Sequence, residues 1–172
     1  MAKDLTTSAI DRQNVLNNTV ALPRIQEALD VKLLEFEGRY VLTKQMVADY
    51  YNVDYRTISR YIENHQDELE HNCYFLCKGK SLKDFKLRFV QDIDVPKNTP
   101  QIGLFDFPSF LNIGMLLTES EKAAIIMHVA AGHIDEELLV RIIPPVIKGE
   151  DFSEELKIDI AHAMESGELY SD

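Results

Sequence analysis

The chain has 172 residues, 45% apolar and 27% charged. These proportions belong to a folded globular protein and exclude a disordered or collagen-like chain. Lys and Arg total 18 against 29 Asp and Glu, a formal net charge of −11, which opposes indiscriminate attraction to nucleic acid or anionic lipid.

No apolar run nears the ~18 residues a membrane helix requires. The opening Met1-Ala2-Lys3-Asp4-Leu5 lacks the apolar centre of a secretory signal, so a cytoplasmic protein without membrane association is expected. The distribution of charge is more telling than its sum. Residues 39–88 carry 9 basic and 7 acidic groups and form the net-basic stretch, whereas residues 117–172 carry 4 and 13.

In chain order, Ser8 caps a short helix through Ile10 and Val15 that Asn17-Asn18 closes, and Pro23 opens a second with Ile25, Ala28 and Leu29 on one face. Lys32–Phe36 and Arg39–Leu42 read as strands about a Glu37-Gly38 turn. Helical spacing runs from Thr43 to His65 with one break at Asn52-Val53-Asp54. The aromatic, β-prone stretch Cys73–Gln91 around Lys78-Gly79-Lys80 reads as a longer β-hairpin. Val95–Pro100 is a linker candidate. Gln101–Phe105 reads as a strand, and Pro108 opens a helix through Phe110, Leu111 and Met115. Thr118-Glu119-Ser120-Glu121 has capping-box spacing and starts a helix to about Ala131. Acidic helices at Glu136–Ile143 and Glu154–Glu165 complete the chain.

The window Lys44–Glu63 meets the requirements of a helix-turn-helix. Apolar side chains must hold two short helices at a steep crossing, and Val47, Tyr51, Val53, Ile58 and Tyr61 occupy those places. The contact position between the helices must be small and is Ala48. The turn needs a residue tolerant of positive φ and has Asn52. Thr43 and Asp54 suit the two N-caps. The second helix then exposes Tyr55, Arg56, Thr57, Ser59 and Arg60. Arg56 and Arg60 suit guanine acceptors, Thr57 a thymine methyl, and Ser59 or Tyr55 a phosphate. A helical hairpin that only packs is the plainer alternative. Lys78, Lys80, Lys83, Lys86 and Arg88 lie close behind with Asp84 as the lone acid among them. On a hairpin they form a basic wing that grips phosphates or, alternatively, a lysine-blunted edge strand.

The stretches Phe36–Val53, Thr57-Ile58-Ser59-Arg60, His71–Leu76 and Gly79-Lys80-Ser81-Leu82-Lys83-Asp84-Phe85 together resemble the amino-terminal DNA-binding domain of phage antirepressor-like proteins. The similarity covers about residues 32–90, and Leu104–Leu117 with Ser120-Glu121-Lys122-Ala123 is similar to the helical part that often completes such domains. It implies a phage, prophage or bacterial protein that binds DNA or other regulators. His71-Asn72 stands where relatives commonly have Glu-Gly, and residues 124–172 depart from the family pattern.

Other chemistry finds little support. Cys73 and Cys77 with His65 and His71 suggest zinc, but Cys-x3-Cys on a strand sends both thiols to one face without a second pair. Arg60 and His65 have the spacing of a ribonuclease pair, yet Arg60 belongs to the recognition helix. His128, His133 and His162 suit structural roles in partly apolar helices. The sequence therefore predicts an α+β protein with no catalytic residues, no metal and no cofactor. A helical segment (1–31) precedes a winged helix-turn-helix domain with small β-hairpins (32–94), and an acidic α-helical extension follows (101–172). The expected partners are double-stranded DNA, a second copy in a homodimer, and a protein at the acidic C-terminal helices. The alternative is a repressor- or toxin-binding module that keeps the helix-turn-helix as scaffold.

Overall fold

The computed structural model describes residues 5–19, 21–29, 31–93, 98–120, 123, 141 and 153–170. The protein is α+β, built on an antiparallel sheet of order β1-β2-β4-β3. Helices α1 (Ala9–Leu16) and α2 (Ala21–Leu29) lead into strands β1 (Leu34–Phe36) and β2 (Arg39–Thr43). Glu37 and Gly38 join the two strands with φ of 50° and 75°, the paired positive angles of a tight two-residue hairpin. Three helices follow: α3 (Lys44–Tyr51), α4 (Tyr55–Asn64) and α5 (Gln66–His71). Then come β3 (Tyr74–Lys78), α6 (Gly79–Arg88), β4 (Gln101–Phe105), α7 (Phe107–Leu116) and α8 (Glu154–Tyr170).

Side chains alternate across the strands, so the sheet carries two cores. Leu42, Phe105 and Tyr74 face one way and pack with Val47, Tyr51 and Ile58 of α3 and α4 and with Phe110, Ile113 and Met115 of α7. Leu34, Phe36, Val41, Leu104 and Cys77 face the other way and receive Leu82 and Phe85 of α6, followed by Phe89. Helix α7 is buried from Ser109 to Leu116 on every side, as an apolar helix must be when it runs through the middle of a domain.

Several sequence expectations change. The stretch Cys73–Gln91 is not a hairpin. After β3 the chain turns at Gly79 (φ 64°) directly into α6, because Leu82, Phe85 and Phe89 recur at helical rather than alternating spacing. The partner of β3 is β4, paired from Tyr74↔Phe105 to Lys78↔Gln101. Residues 101–116 therefore complete the same sheet and core as residues 32–90. Leu5, Leu16, Ile25 and Leu29 join that core as well, so the amino-terminal helices belong to the same packed unit.

At the smaller scale, α2 begins two residues before Pro23, which is tolerated because first-turn N–H groups lack helical partners anyway. Helix α8 runs past Gly167 to Tyr170. The helices expected to Ala131 and over Glu136–Ile143 lie outside the described residues, as do His128 and His133. Among the described residues, no helix is long and apolar enough to cross a membrane.

Candidate nucleic-acid interface

The α3–α4 corner is built from local rules that agree with one another. Thr43 Oγ1 accepts from the Met46 N–H at 3.2 Å and caps α3. Asn52 ends that helix in the left-handed region (φ 54°, ψ 50°), and Asp54 Oδ1 accepts from the Arg56 N–H at 2.7 Å to start α4. Val47, Ala48, Tyr51 and Ile58 are fully buried at the crossing. Val53 and Tyr61, expected in the same core, are half-buried at its edge.

This packing turns the polar side of α4 outward. Tyr55, Arg56 and Arg60 are exposed, and Thr57 and Ser59 are half-buried. Lys44, at the first position of α3, joins them. Its ammonium lies 5.0 Å from the centre of the Tyr55 ring and donates to Ser59 Oγ at 3.3 Å. Ser59 Oγ in turn donates to the Tyr55 carbonyl at 3.3 Å. Residues from both helices thus form one polar, cationic surface. Sequence reading missed Lys44 because it considered only the second helix. An open cleft of about 750 Å³ adjoins this patch, running from Lys44 and Tyr55 to Gly103 of β4.

Arg60 is engaged differently. Its Nη2 donates to Glu119 Oε1 at 2.6 Å, and Tyr61 OH donates to Glu119 Oε2 at 2.9 Å. Slight burial pushes the Glu119 carboxyl up, but the Tyr61 hydrogen bond, local backbone N–H groups and the Arg60 charge hold it below the usual carboxylate range. Glu119 is free to reach α4 because the cap of the next helix is Ser120. Ser120 Oγ accepts from the Ala123 N–H at 3.1 Å and donates to the Tyr51 carbonyl at 2.6 Å. The capping-box spacing pointed to Thr118, which instead lies beside Tyr61.

The predicted basic wing does not form. Lys80, Lys83, Lys86 and Arg88 lie on α6, across the sheet from α4, and Lys78 stands at the end of β3. Lys86 Nζ donates to the Thr99 carbonyl at 3.0 Å. The ten predicted site residues therefore divide into a polar patch on α4 and a basic cluster centred on α6, on opposite faces of the sheet.

The histidines and cysteines also part company. Cys73 precedes β3 at φ 76° and is exposed, whereas Cys77 is buried against α6, so the two thiols do not share a face. The Tyr61 ring contacts both the Arg60 guanidinium and the His65 imidazole. Among the described residues, no group of three or more His, Cys, Asp or Glu is arranged to hold a metal ion.

Comparisons of the chain with protein-family models, with curated proteins and with solved structures return no match.

Proposed function

We propose that the chain is a non-catalytic, helix-turn-helix DNA-binding protein with a transcription-regulatory or phage antirepressor-like role. One observation carries this reading. The α3–α4 corner buries the residues that set its crossing and leaves Tyr55, Arg56, Thr57, Ser59 and Arg60, with Lys44, on one outward surface. The amino-terminal half of α4 enters the major groove, Arg56 and Arg60 face guanine acceptors or phosphate, and Lys44 and Ser59 sit against the backbone. The excess of acid elsewhere keeps indiscriminate binding low, so affinity depends on this surface. One such helix covers few base pairs, which favours a homodimer on half-sites one helical turn apart.

Duplexes recovered by selection from a random-sequence pool and titrated over a salt series test the reading. Arg56→Ala with Arg60→Ala is expected to weaken binding at least tenfold and to flatten the salt slope by about 1–2, since each lost phosphate contact removes about 0.9. Recovery of no duplex at ~50 mM salt, or an unchanged affinity in the double variant, would overturn it.

A second reading has its own observation. Leu87 and Val90 are each 71% exposed at the end of α6, beside Lys83 and Arg88, which suits an interaction with another protein. A partner complex that survives the double arginine substitution would favour that reading.

A further inference from the structure

We propose that Arg60, Tyr61 and Thr118 form a phosphodiester-binding site that the chain fills with its own Glu119 carboxylate until a duplex replaces it. This rests on the DNA-binding reading above and assigns to Glu119 the role of an internal competitor for a backbone phosphate.

The geometry is that of an anion site with its anion in place. Two neighbouring donors on α4 converge on a carboxylate nearly sixty residues away in the sequence. Arg60 Nη2 lies 2.6 Å from Oε1, and Tyr61 OH lies 2.9 Å from Oε2. The Thr118 N–H donates to the Tyr61 oxygen at 3.4 Å. A phenol that accepts there is left with its own proton to give, and it gives it to the anion. A guanidinium N–H beside an oriented hydroxyl is the donor set that recognises a phosphate oxygen as readily as a carboxylate oxygen.

The carboxylate is also held in position. Leu117 and Ser120 on either side of the Thr118-Glu119 pair are buried, and Ser120 is tied to the Tyr51 carbonyl. Glu119 is therefore delivered to Arg60 by the fold rather than by chance contact. Exchange is nonetheless easy. The Arg60 and Glu119 side chains are 56% and 45% exposed, and ion pairs this open contribute little net stability.

The consequence is an internal competition for Arg60. In the free protein the Arg60 charge is cancelled, so an incoming duplex meets only Arg56 and Lys44. A duplex seated by Tyr55, Arg56 and Thr57 brings a phosphate to Arg60, and Glu119 swings into solvent with its charge uncompensated. Any duplex must displace Glu119 to use Arg60, so the carboxylate lowers affinity by about the free energy of the ion pair that is given up.

The test uses the full chain as wild type, Glu119→Gln, Arg60→Ala and the double variant, with thermal melts to confirm folding. Anisotropy titrations would employ the selected duplex and an unrelated duplex of equal length across a salt series. Glu119→Gln is expected to tighten binding of the selected duplex about three- to fivefold, the scale of an exposed ion pair, to tighten the unrelated duplex by no more than that, and to steepen the salt slope. In the Arg60→Ala background the same substitution should add less than about twofold, because the gain runs through Arg60. An equal gain in both backgrounds, or no gain in wild type, overturns the proposal and leaves the DNA-binding reading standing. Absence of duplex binding by every variant overturns both.

Discussion

The Tyr51 hydroxyl donates to the Phe110 carbonyl at 2.9 Å, and the two rings stack with centroids 5.0 Å apart, locking α3 onto α7. Room for this contact comes from Gly114. A Cβ there would collide with the Tyr51 hydroxyl and lie 2.6 Å from its ring carbon Cζ. Gly114→Ala should therefore destabilise the protein by about 2 kcal/mol through overpacking, although alanine is the better helix former by about 1 kcal/mol. Tyr51→Phe should cost about 1 kcal/mol. In that background the Gly114→Ala penalty should shrink without vanishing, because Cζ remains too close. Urea unfolding of the four proteins reads out the cycle, and a neutral Gly114→Ala would refute the close approach.

A second lock joins α1, α5 and α7. Arg12 Nη2 donates to Glu68 Oε1 at 2.7 Å, and Asn112 Nδ2 donates to Glu68 Oε2 at 2.7 Å. Asn72 Nδ2 donates to Asn112 Oδ1 at 2.8 Å. Partial burial pushes the Glu68 carboxyl up, but hydrogen bonds from Arg12 and Asn112 and the Arg12 and His65 charges bring it below its ordinary value. The folded state thus favours the carboxylate. Its stabilisation is complete above the unfolded carboxyl pKa, about 4.3, and is lost as pH falls through the lower folded value. Glu68→Gln should cost about 3 kcal/mol at pH 7 by leaving the Arg12 charge buried without its counter-charge. The acid limb of the stability profile should also become shallower. Denaturation series between pH 3 and 7, for wild type and variant, check both effects.

How much of this was legible depended on whether the signal was local. Asn52, Thr43 and Asp54 announced the two-helix corner because each acts on its own turn of backbone, and Glu37-Gly38 announced the first hairpin for the same reason. Strand β3 was legible too, but its partner was not, because β4 arrives from beyond residue 100 and pairing across that distance leaves no local mark. The composition of 79–91 suggested strand, yet the period of Leu82, Phe85 and Phe89 was helical, and burial followed period rather than propensity. Arg12, Glu68 and Asn112 looked like ordinary polar residues. Only the convergence of three helices makes them a buried network. Glu119 was hidden inside a capping-box pattern, and its contact with Arg60 depends on Ser120 taking the cap.

The division of basic residues between two faces has a direct consequence. The exposed α6 side chains Lys80, Lys83 and Arg88 lie across the sheet from α4, so under the proposed function they can add only long-range field to a duplex seated on α4. Replacing all three with alanine should weaken binding of the selected duplex less than about threefold at 150 mM salt, where charges beyond ~8 Å are screened. The same titration should show the much larger loss expected of the Arg56 and Arg60 pair. A comparable loss from the α6 variant would mean that the duplex wraps the sheet edge and reaches both faces.

The corner itself turns on Asn52. Its backbone N–H reaches the Ala48 and Asp49 carbonyls while φ is positive, which a residue with a Cβ tolerates only at a cost of roughly 1–2 kcal/mol. Asparagine reduces that cost because its short polar side chain is suited to this region. Asn52→Gly should therefore be neutral within about 0.5 kcal/mol, since relieved strain offsets the greater freedom of glycine in the unfolded chain. Asn52→Ala should lose about 1 kcal/mol, and Asn52→Val about 2 kcal/mol because a β-branched side chain clashes most at positive φ. The order Gly, Ala, Val in urea midpoints identifies the left-handed turn. If alanine matched glycine, the turn would have to be made some other way, and the crossing that presents Tyr55, Arg56 and Arg60 together would lose its explanation.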